Sequence, residues 1–286
     1  MKEQLDLFCS FEENVDTHPI PKDTETYTYV DFISDQHIFW CMEKVFEVYE
    51  STKKSINLSN YYKNRIDPFK INFDIYFNGL TEKEIILGDI ERANAQRISM
   101  TIGYFHENLL GGIKGLKKFK VGDGYDIKSN NDDIFADIKN KHNTVTGGKL
   151  KTLYRDLEKY IEGKPNAKAF WVQINAKSSF CMPWTATYEN ESFNNPNVYK
   201  ASADRFYALV TQKDTAFAEL CAALPQATED FMKKYKLSDK ADNISIYDDL
   251  VTKAAENEVS ILTQMINENY RGFIGFPLRN SEDSKI

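Results

Sequence analysis

Chemistry in this sequence concentrates in the stretch GDGYDIKSNNDDIFADIKNKHNT (122–144), where Asp126, Asp137 and Lys139 stand as a D-x10-D-x-K array. Two carboxylates brought close together repel unless a proton or a cation is shared between them, and a hard divalent ion such as Mg2+ is the usual solution. A lysine beside that ion can hold a water or a phosphate oxygen. Residues of these types could hold a divalent cation beside a water or a phosphate oxygen, provided the fold brings the three heads together.

Alternation of apolar and polar residues reads both arms of the stretch as half-buried strands of a β-hairpin. On the first arm Tyr125 and Ile127 take one face and Asp126 and Lys128 the other, while Ser129, Asn130, Asn131 and Asp132 supply the turn. On the return arm Ile134, Ala136 and Ile138 join the layer of Ile127, which leaves Asp137, Lys139 and Lys141 opposite. Convergence of Asp126, Asp137 and Lys139 follows from that alternation.

Thr81 with Glu84 forms a capping box that opens a helix continuing, with interruptions, to Leu110, where Gly111 and Gly112 stop it. This helix carries Glu107, with Glu91 behind it, as either a further carboxylate for the site or a solvated residue. The run IKGLKKFKVGDG then sets Lys114, Lys117, Lys118 and Lys120 just before the hairpin, a pattern that suits phosphate contact or a solvated surface. After the hairpin a helix is predicted from about Lys149 to Glu162, with Leu150, Leu153, Leu157 and Tyr160 as its buried stripe and Gly163 and Pro165 ending it. His142, Asn143, Thr144 and the amides around Gly147 and Gly148 could receive a phosphate at its N-terminus. In the strand AFWVQINAK that follows, Gln173, Asn175 and Lys177 form a polar row, facing DNA or lying on the wet side of an edge strand.

Elsewhere the chain carries less chemistry. Residues 1–33 read as an extended arm, Ser34 caps a helix, and His37 near its start reads as a packing residue. The aromatic-rich segment 56–80 reads as one or two short helices interrupted at Pro68. Beyond the Asn-rich loop after Pro183, segments 201–223, 226–236 and 245–268 read as helices, and YRGFIGFPLRN as a returning strand or clasp.

With 286 residues, 42% hydrophobic and 28% charged, the chain is ordinary for a globular protein, and a single domain is the simplest organisation. Its net charge of −7 argues against a general affinity for nucleic acid, but from Gly111 to Lys177 fourteen Lys and Arg face eight Asp and Glu, a net of +6. The basic island coincides with the acidic array. Cys9, Cys41, Cys181 and Cys221 are widely spaced without a C-x-x-C pair, which suggests neither a zinc site nor a disulfide framework and fits a reducing cytoplasm. No positively charged start followed by an apolar run is present, and no segment approaches the roughly 18 apolar residues of a membrane span, so no membrane partner is expected.

The D-x10-D-x-K array resembles the active site of the PD-(D/E)xK nuclease superfamily. GYDIKSNNDDIFADIKNKHNT, followed by GGKLKTLYRDLEKYIEGK and AFWVQINAKSS and preceded by a helix ending IGYFHENLLGGI, resembles the type II restriction endonucleases that recognise GGNCC, over roughly residues 80–185. The resemblance implies an α/β fold with a restriction-endonuclease-like core, a mixed central β-sheet flanked by helices. That core would span about 81–185, with an N-terminal arm and helices over 1–80 and a helical part over 186–286. It also implies a Mg2+-dependent homodimer cutting both strands of double-stranded DNA, and a cognate methyltransferase in the host that is not a physical partner. Asp126 and Asp137, with Glu107, would hold the metal, and Lys139 would orient and activate the attacking water. Lys114, Lys117, Lys118, Lys141, His142, Asn143, Gln173, Asn175 and Lys177 would meet DNA, and Lys200, Arg205, Arg271 and Arg279 are candidate base readers. Two departures from the superfamily pattern, Tyr125 in place of proline and Asp137 where glutamate is commoner, keep the ligand chemistry. A repair or structure-selective nuclease on the same core and a non-catalytic DNA-binding module are the alternatives.

Overall fold

The computed structural model describes residues 25–54, 57–63, 66–119, 124–141, 147–188, 191–237 and 244–269. Expectations for residues 1–24, Lys120, His142, Asn143, Thr144 and the C-terminal run with Arg271 and Arg279 lie outside the described residues, as does the side chain of Lys141.

Helix α1 (Asp35–Thr52) starts as its sequence predicts, with the His37 amide donating to Ser34 Oγ at 3.4 Å. The aromatic segment folds as α2 (Leu58–Lys63) and α3 (Pro68–Asn78). Asp67 accepts from the Phe69 amide at the start of α3, and Gly79 at φ 65 ends it. The capping box then opens α4 (Glu82–Gly111): Thr81 N donates to Glu84 Oε2 at 2.8 Å and Glu84 N donates back to Thr81 Oγ1 at 3.3 Å.

The hairpin forms with the expected turn and one strand more than expected. The lysine run is itself β1 (Leu116–Lys118), pairing antiparallel with β2 (Ile127–Ser129), which pairs antiparallel with β3 (Ile134–Lys141). Ser129 Oγ accepts from the Asp133 and Ile134 amides, closing a turn in which Asp132 takes φ 61. Helix α5 (Gly147–Tyr160) crosses to β4 (Lys168–Asn175), which runs parallel to β3, the arrangement that requires a crossover helix.

After β5 (Cys181–Pro183) and the small hairpin β6 (Ala186–Tyr188) with β7 (Glu191–Phe193), strand β8 (Val198–Ser202) pairs parallel with β4 and completes a six-stranded sheet of order β1-β2-β3-β4-β8-β5. Strand β4 is therefore central, and its near-continuous burial is that of a parallel strand covered on both faces. Helices α6 (Ala203–Thr211), α7 (Ala216–Met232), α8 (Ile244–Glu256) and α9 (Ile261–Asn269) follow. The break between α6 and α7 falls after Gln212, at φ 56, and not at Pro225, which lies inside α7. Leu220 before that proline and Ala227 and Phe231 after it are buried in one core, so packing on both sides carries the helix through.

Within these residues two compact units separate: 49–98 with 237–269, and 25–48 with 99–236. The first is helical, closed by Tyr61, Ile71, Ile86, Ile90, Ile246 and Leu250. The second holds the sheet between two apolar layers. Ile127, Ala136, Ile138, Phe170, Val172 and Ile174 pack on one face against α1, the C-terminal part of α4, α6 and α7. On the other face Phe135, Ala169 and Trp171 pack against Leu153, Tyr154 and Leu157 of α5, and the buried Tyr154 hydroxyl accepts from the Asn195 amide at 2.8 Å. Among the described residues no helix is long and apolar enough to cross a membrane.

His37 fixes the end of α4. Its half-buried ring lies 5.4 Å from Trp40 between centroids, and Nε2 donates to the Asn108 carbonyl at 2.8 Å, one residue from Glu107. Gly112 makes the approach possible, because a β-carbon there would stand 2.1 Å from the imidazole Cδ2. Gly112→Ala is expected to displace His37 and cost about 1–3 kcal/mol, read by chemical denaturation.

Candidate active site

Strand β3 is bonded along its whole length to β4, but on its other edge the pairing with β2 ends at Ile127 opposite Ala136. Asp126 N still donates to the Ala136 carbonyl at 3.0 Å, and past that point the strands part. The Ile138 amide would lose its partner there. Asp126 supplies one instead, its Oδ2 accepting from Ile138 N at 2.7 Å. A carboxylate thus takes the place of a ladder carbonyl, and its head is fixed beside Asp137 and Lys139.

Those two side chains extend from the face of β3 that alternation assigns them. Lys139 Nζ is ion-paired with Asp137 Oδ1, lies 4.0 Å from Asp126 Oδ2 and donates to the Ile138 carbonyl at 3.3 Å. One ammonium head is ringed by three oxygens, one each from Asp126, Asp137 and Ile138. The side chain of Asp137 is 14 % exposed, that of Asp126 27 % and that of Lys139 34 %, so the cluster is shielded yet open to solvent.

Electrostatics bear the mark of crowded acids. Burial, partly offset by Lys139 and reinforced by Asp126, pushes the Asp137 carboxyl up to about 6. Burial and then the Asp126 charge push Glu107 up to about 7, against the pull of Lys118 and Lys139. Burial alone would lower Lys139, but Asp137, Asp126 and Glu107 raise it on balance, so it stands as a firmly protonated ammonium.

Glu107 itself pairs with Lys118, Oε2 to Nζ at 3.4 Å, and Lys118 also donates to Asn108 Oδ1 at 2.8 Å and lies over the Tyr104 ring. Among the described residues no three His, Cys, Asp or Glu side chains form a metal-holding group, so Glu107 does not close a three-carboxylate cage with Asp126 and Asp137. The oxygen set still fits a hard cation: two carboxylates and a carbonyl gather around one positive head.

The basic run divides accordingly. Lys114 and Lys117 are exposed, whereas Lys118 is turned toward Glu107. In the polar row of β4, Gln173 is 7 % exposed in register with Lys139, Asn175 is exposed and donates to Asn140 Oδ1, and Lys177 is exposed beyond the strand. The edge-strand reading of that row does not hold, because β8 covers the far side of β4. Lys200 lies over the Phe180 ring at 6.0 Å, and Arg205 Nε donates to Ser179 Oγ.

Tyr125 also departs from expectation. It packs against Phe135 and Tyr160, each 5.2 Å away, on the face opposite Ile127, because it precedes β2 and the alternation does not run through Asp126. Two residues of α5 that sequence reasoning did not assign to the site come near it. Asp156 adds its negative charge to the field that raises Asp137, and the Tyr160 phenol is raised by burial and by Asp156, Asp137 and Asp126. The available signal was the i,i+4 spacing of Asp156 and Tyr160, the latter already in the buried stripe. Gly124, at φ +100, lets the chain pass under Tyr160, where a β-carbon would meet the ring at 3.1 Å.

A mixed sheet flanked by helices, with two aspartates and a lysine at the parting of two strands, defines a restriction-endonuclease-like core. The family model described as Eco47II restriction endonuclease matches residues 30–233, which include Glu107, Asp126, Asp137 and Lys139. Type II restriction enzyme Sau96I of Staphylococcus aureus is 33% identical over 253 residues, 86% of this chain and 97% of its own length. Type II restriction enzyme Eco47II of Escherichia coli is 28% identical over 209 residues, 70% of this chain and 87% of its own. The chain belongs to the Eco47II restriction endonuclease family, and its activity is that of a type II site-specific deoxyribonuclease.

Raised carboxyls make the metal-free site pH-sensitive. A carboxyl whose folded value lies above its unfolded one favours the folded state at low pH and loses that contribution as pH rises through the folded value, here about 6 and about 7. The melting temperature of metal-free protein is therefore expected to fall between pH 5 and 8. If the same oxygens hold a divalent cation, adding Ca2+ or Mg2+ should restore more of it at pH 8 than at pH 5, because protons and the cation would then compete.

Proposed function

We propose that the chain works as a Mg2+-dependent homodimer cutting both strands of a short palindromic DNA site, with GGNCC as that site and Asp126, Asp137 and Lys139 as the hydrolytic centre. The observation that carries the reading is the position of Lys139 Nζ among Asp137 Oδ1, Asp126 Oδ2 and the Ile138 carbonyl, an oxygen cradle already organised around positive charge. Asp126 and Asp137 are the residues that would hold the metal, and Glu107 would balance charge beside them. Magnesium, when bound, supplies charge neutralisation at the phosphate and acidifies a water.

The protein's own groups do the rest. The Ile138 amide holds the Asp126 carboxylate in one orientation, so its other oxygen needs no reorganisation to serve as a ligand. Lys139 is held protonated by its acidic neighbours, which suits it to orient the attacking water and to offset phosphate charge, not to abstract a proton. Attack in line on phosphorus then expels the 3′ oxygen. Exposed Lys114 and Lys117, with Lys177 and Asn175, are suited to the DNA backbone. A palindromic target matches a two-fold symmetric protein, which supports the dimer.

Incubation with DNA of known sequence and Mg2+ should give discrete fragments whose ends map to one palindrome, and a smear or no cutting by folded protein would overturn the reading. Asp137→Ala should abolish cutting while DNA binding persists, and Lys139→Met should slow it by about 10²–10⁴-fold. Removing Lys114 or Lys117 should lower the slope of log affinity against log salt by about one each, with little effect on which sequence is cut.

A further inference from the structure

The largest exposed apolar feature among the described residues is one side of α3. Phe69 is 65% exposed, Phe73 48%, Tyr76 76% and Phe77 78%, with Leu80 just past the helix end. At 100° per residue these four ring positions fall in one stripe about 100° wide. The opposite side, with Pro68, Ile71 and Ile75, is packed into the helical core of residues 49–98 and 237–269. Helix α3 is thus apolar on two faces, and among the described residues only one of them is packed.

With aromatic side chains presenting about 150–250 Å² each, the stripe exposes on the order of 500 Å² of ring surface. A patch of that size marks an interaction site, and it falls somewhat short of the roughly 800 Å² that each partner buries in a stable interface, so a modest rim would complete it. Phe73 and Phe77 lie parallel, 5.2 Å apart and 8° from coplanar, and are already ordered as a ridge.

Charge selects the partner. The cation on α3, Lys70, is tied to Asp74 four residues on, so the helix offers no surplus positive charge to phosphates or to an anionic lipid surface. One acid–acid–lysine centre is present per chain, while a palindrome has two strands to cut, so the protein partner the activity needs is a second copy. Phe69, Phe73 and Phe77 form an i±4 ridge, and two such ridges related by a two-fold axis interdigitate with no second kind of surface required.

We infer that the aromatic face of α3 is where a second copy of this chain docks. This rests on the dimer proposed above. Sedimentation of the full chain, with and without cognate DNA, tests it by comparing the native protein with the double variant Phe73→Asp, Phe77→Asp. Phe77 is largely exposed and Phe73 about half, so far-UV circular dichroism and the melting temperature should change little, and Tyr76→Lys provides a second variant should the first fail to fold.

A native dimer whose variants dissociate, with the dissociation constant raised at least about 10³-fold, supports the inference. A native protein that is monomeric in both conditions overturns the dimer and this surface together. Variants that stay dimeric overturn the surface alone, whether they bind DNA normally or, by losing DNA affinity, give the face to nucleic acid.

Discussion

The arrangement of this protein's site depends on carboxylates held partly out of water, where burial makes the charged form costly and a neighbouring acid adds to that cost. Burial and the Asp126 charge raise the cost of ionising Asp137 and Glu107, and Lys139 and Lys118 offset part of it. A site built in this way is under-neutralised without a cation. It favours protons at low pH, and the loss of those protons as pH rises couples folding stability to the state of the site.

What holds the acids together is the sheet. Continuous pairing of β3 with β4, buried on both faces, gives Asp137 and Lys139 a rigid base two residues apart. The parting of β2 from β3 creates both the space for chemistry and an unpaired Ile138 amide, and Asp126 answers the amide while filling the space. The same side chain satisfies a backbone donor and, in the proposed function, is the one that would supply an oxygen ligand. Replacing it therefore touches structure and chemistry at once, whereas Asp137 and Lys139 can be changed with less effect on the fold.

A ring of supporting residues keeps this geometry from relaxing. His37 clamps the last turn of α4 and so sets where Glu107 lies. Tyr125, Phe135 and Tyr160 form an aromatic floor edge to edge beneath the acids, and Gly124 leaves room for it. Side chains held by packing cost little to hold in place at the moment of reaction.

Local rules were enough to read much of this from the sequence. Backbone pleat dictates that Asp137 and Lys139 share a face away from Ile138, the Ser129–Asp132 run could only turn, and Thr81 with Glu84 could only start a helix. Each depends on residues within a few positions of one another. Tertiary structure decided the rest. It inserted β8 beside β4 and buried Gln173, drew Lys118 away from solvent to Glu107, put Tyr125 on the opposite face from Ile127, and brought Asp156 and Tyr160 over the motif. These outcomes turn on which distant segments meet, and that is set by packing of whole faces and by charge balance across the sheet, quantities that no short window of residues contains.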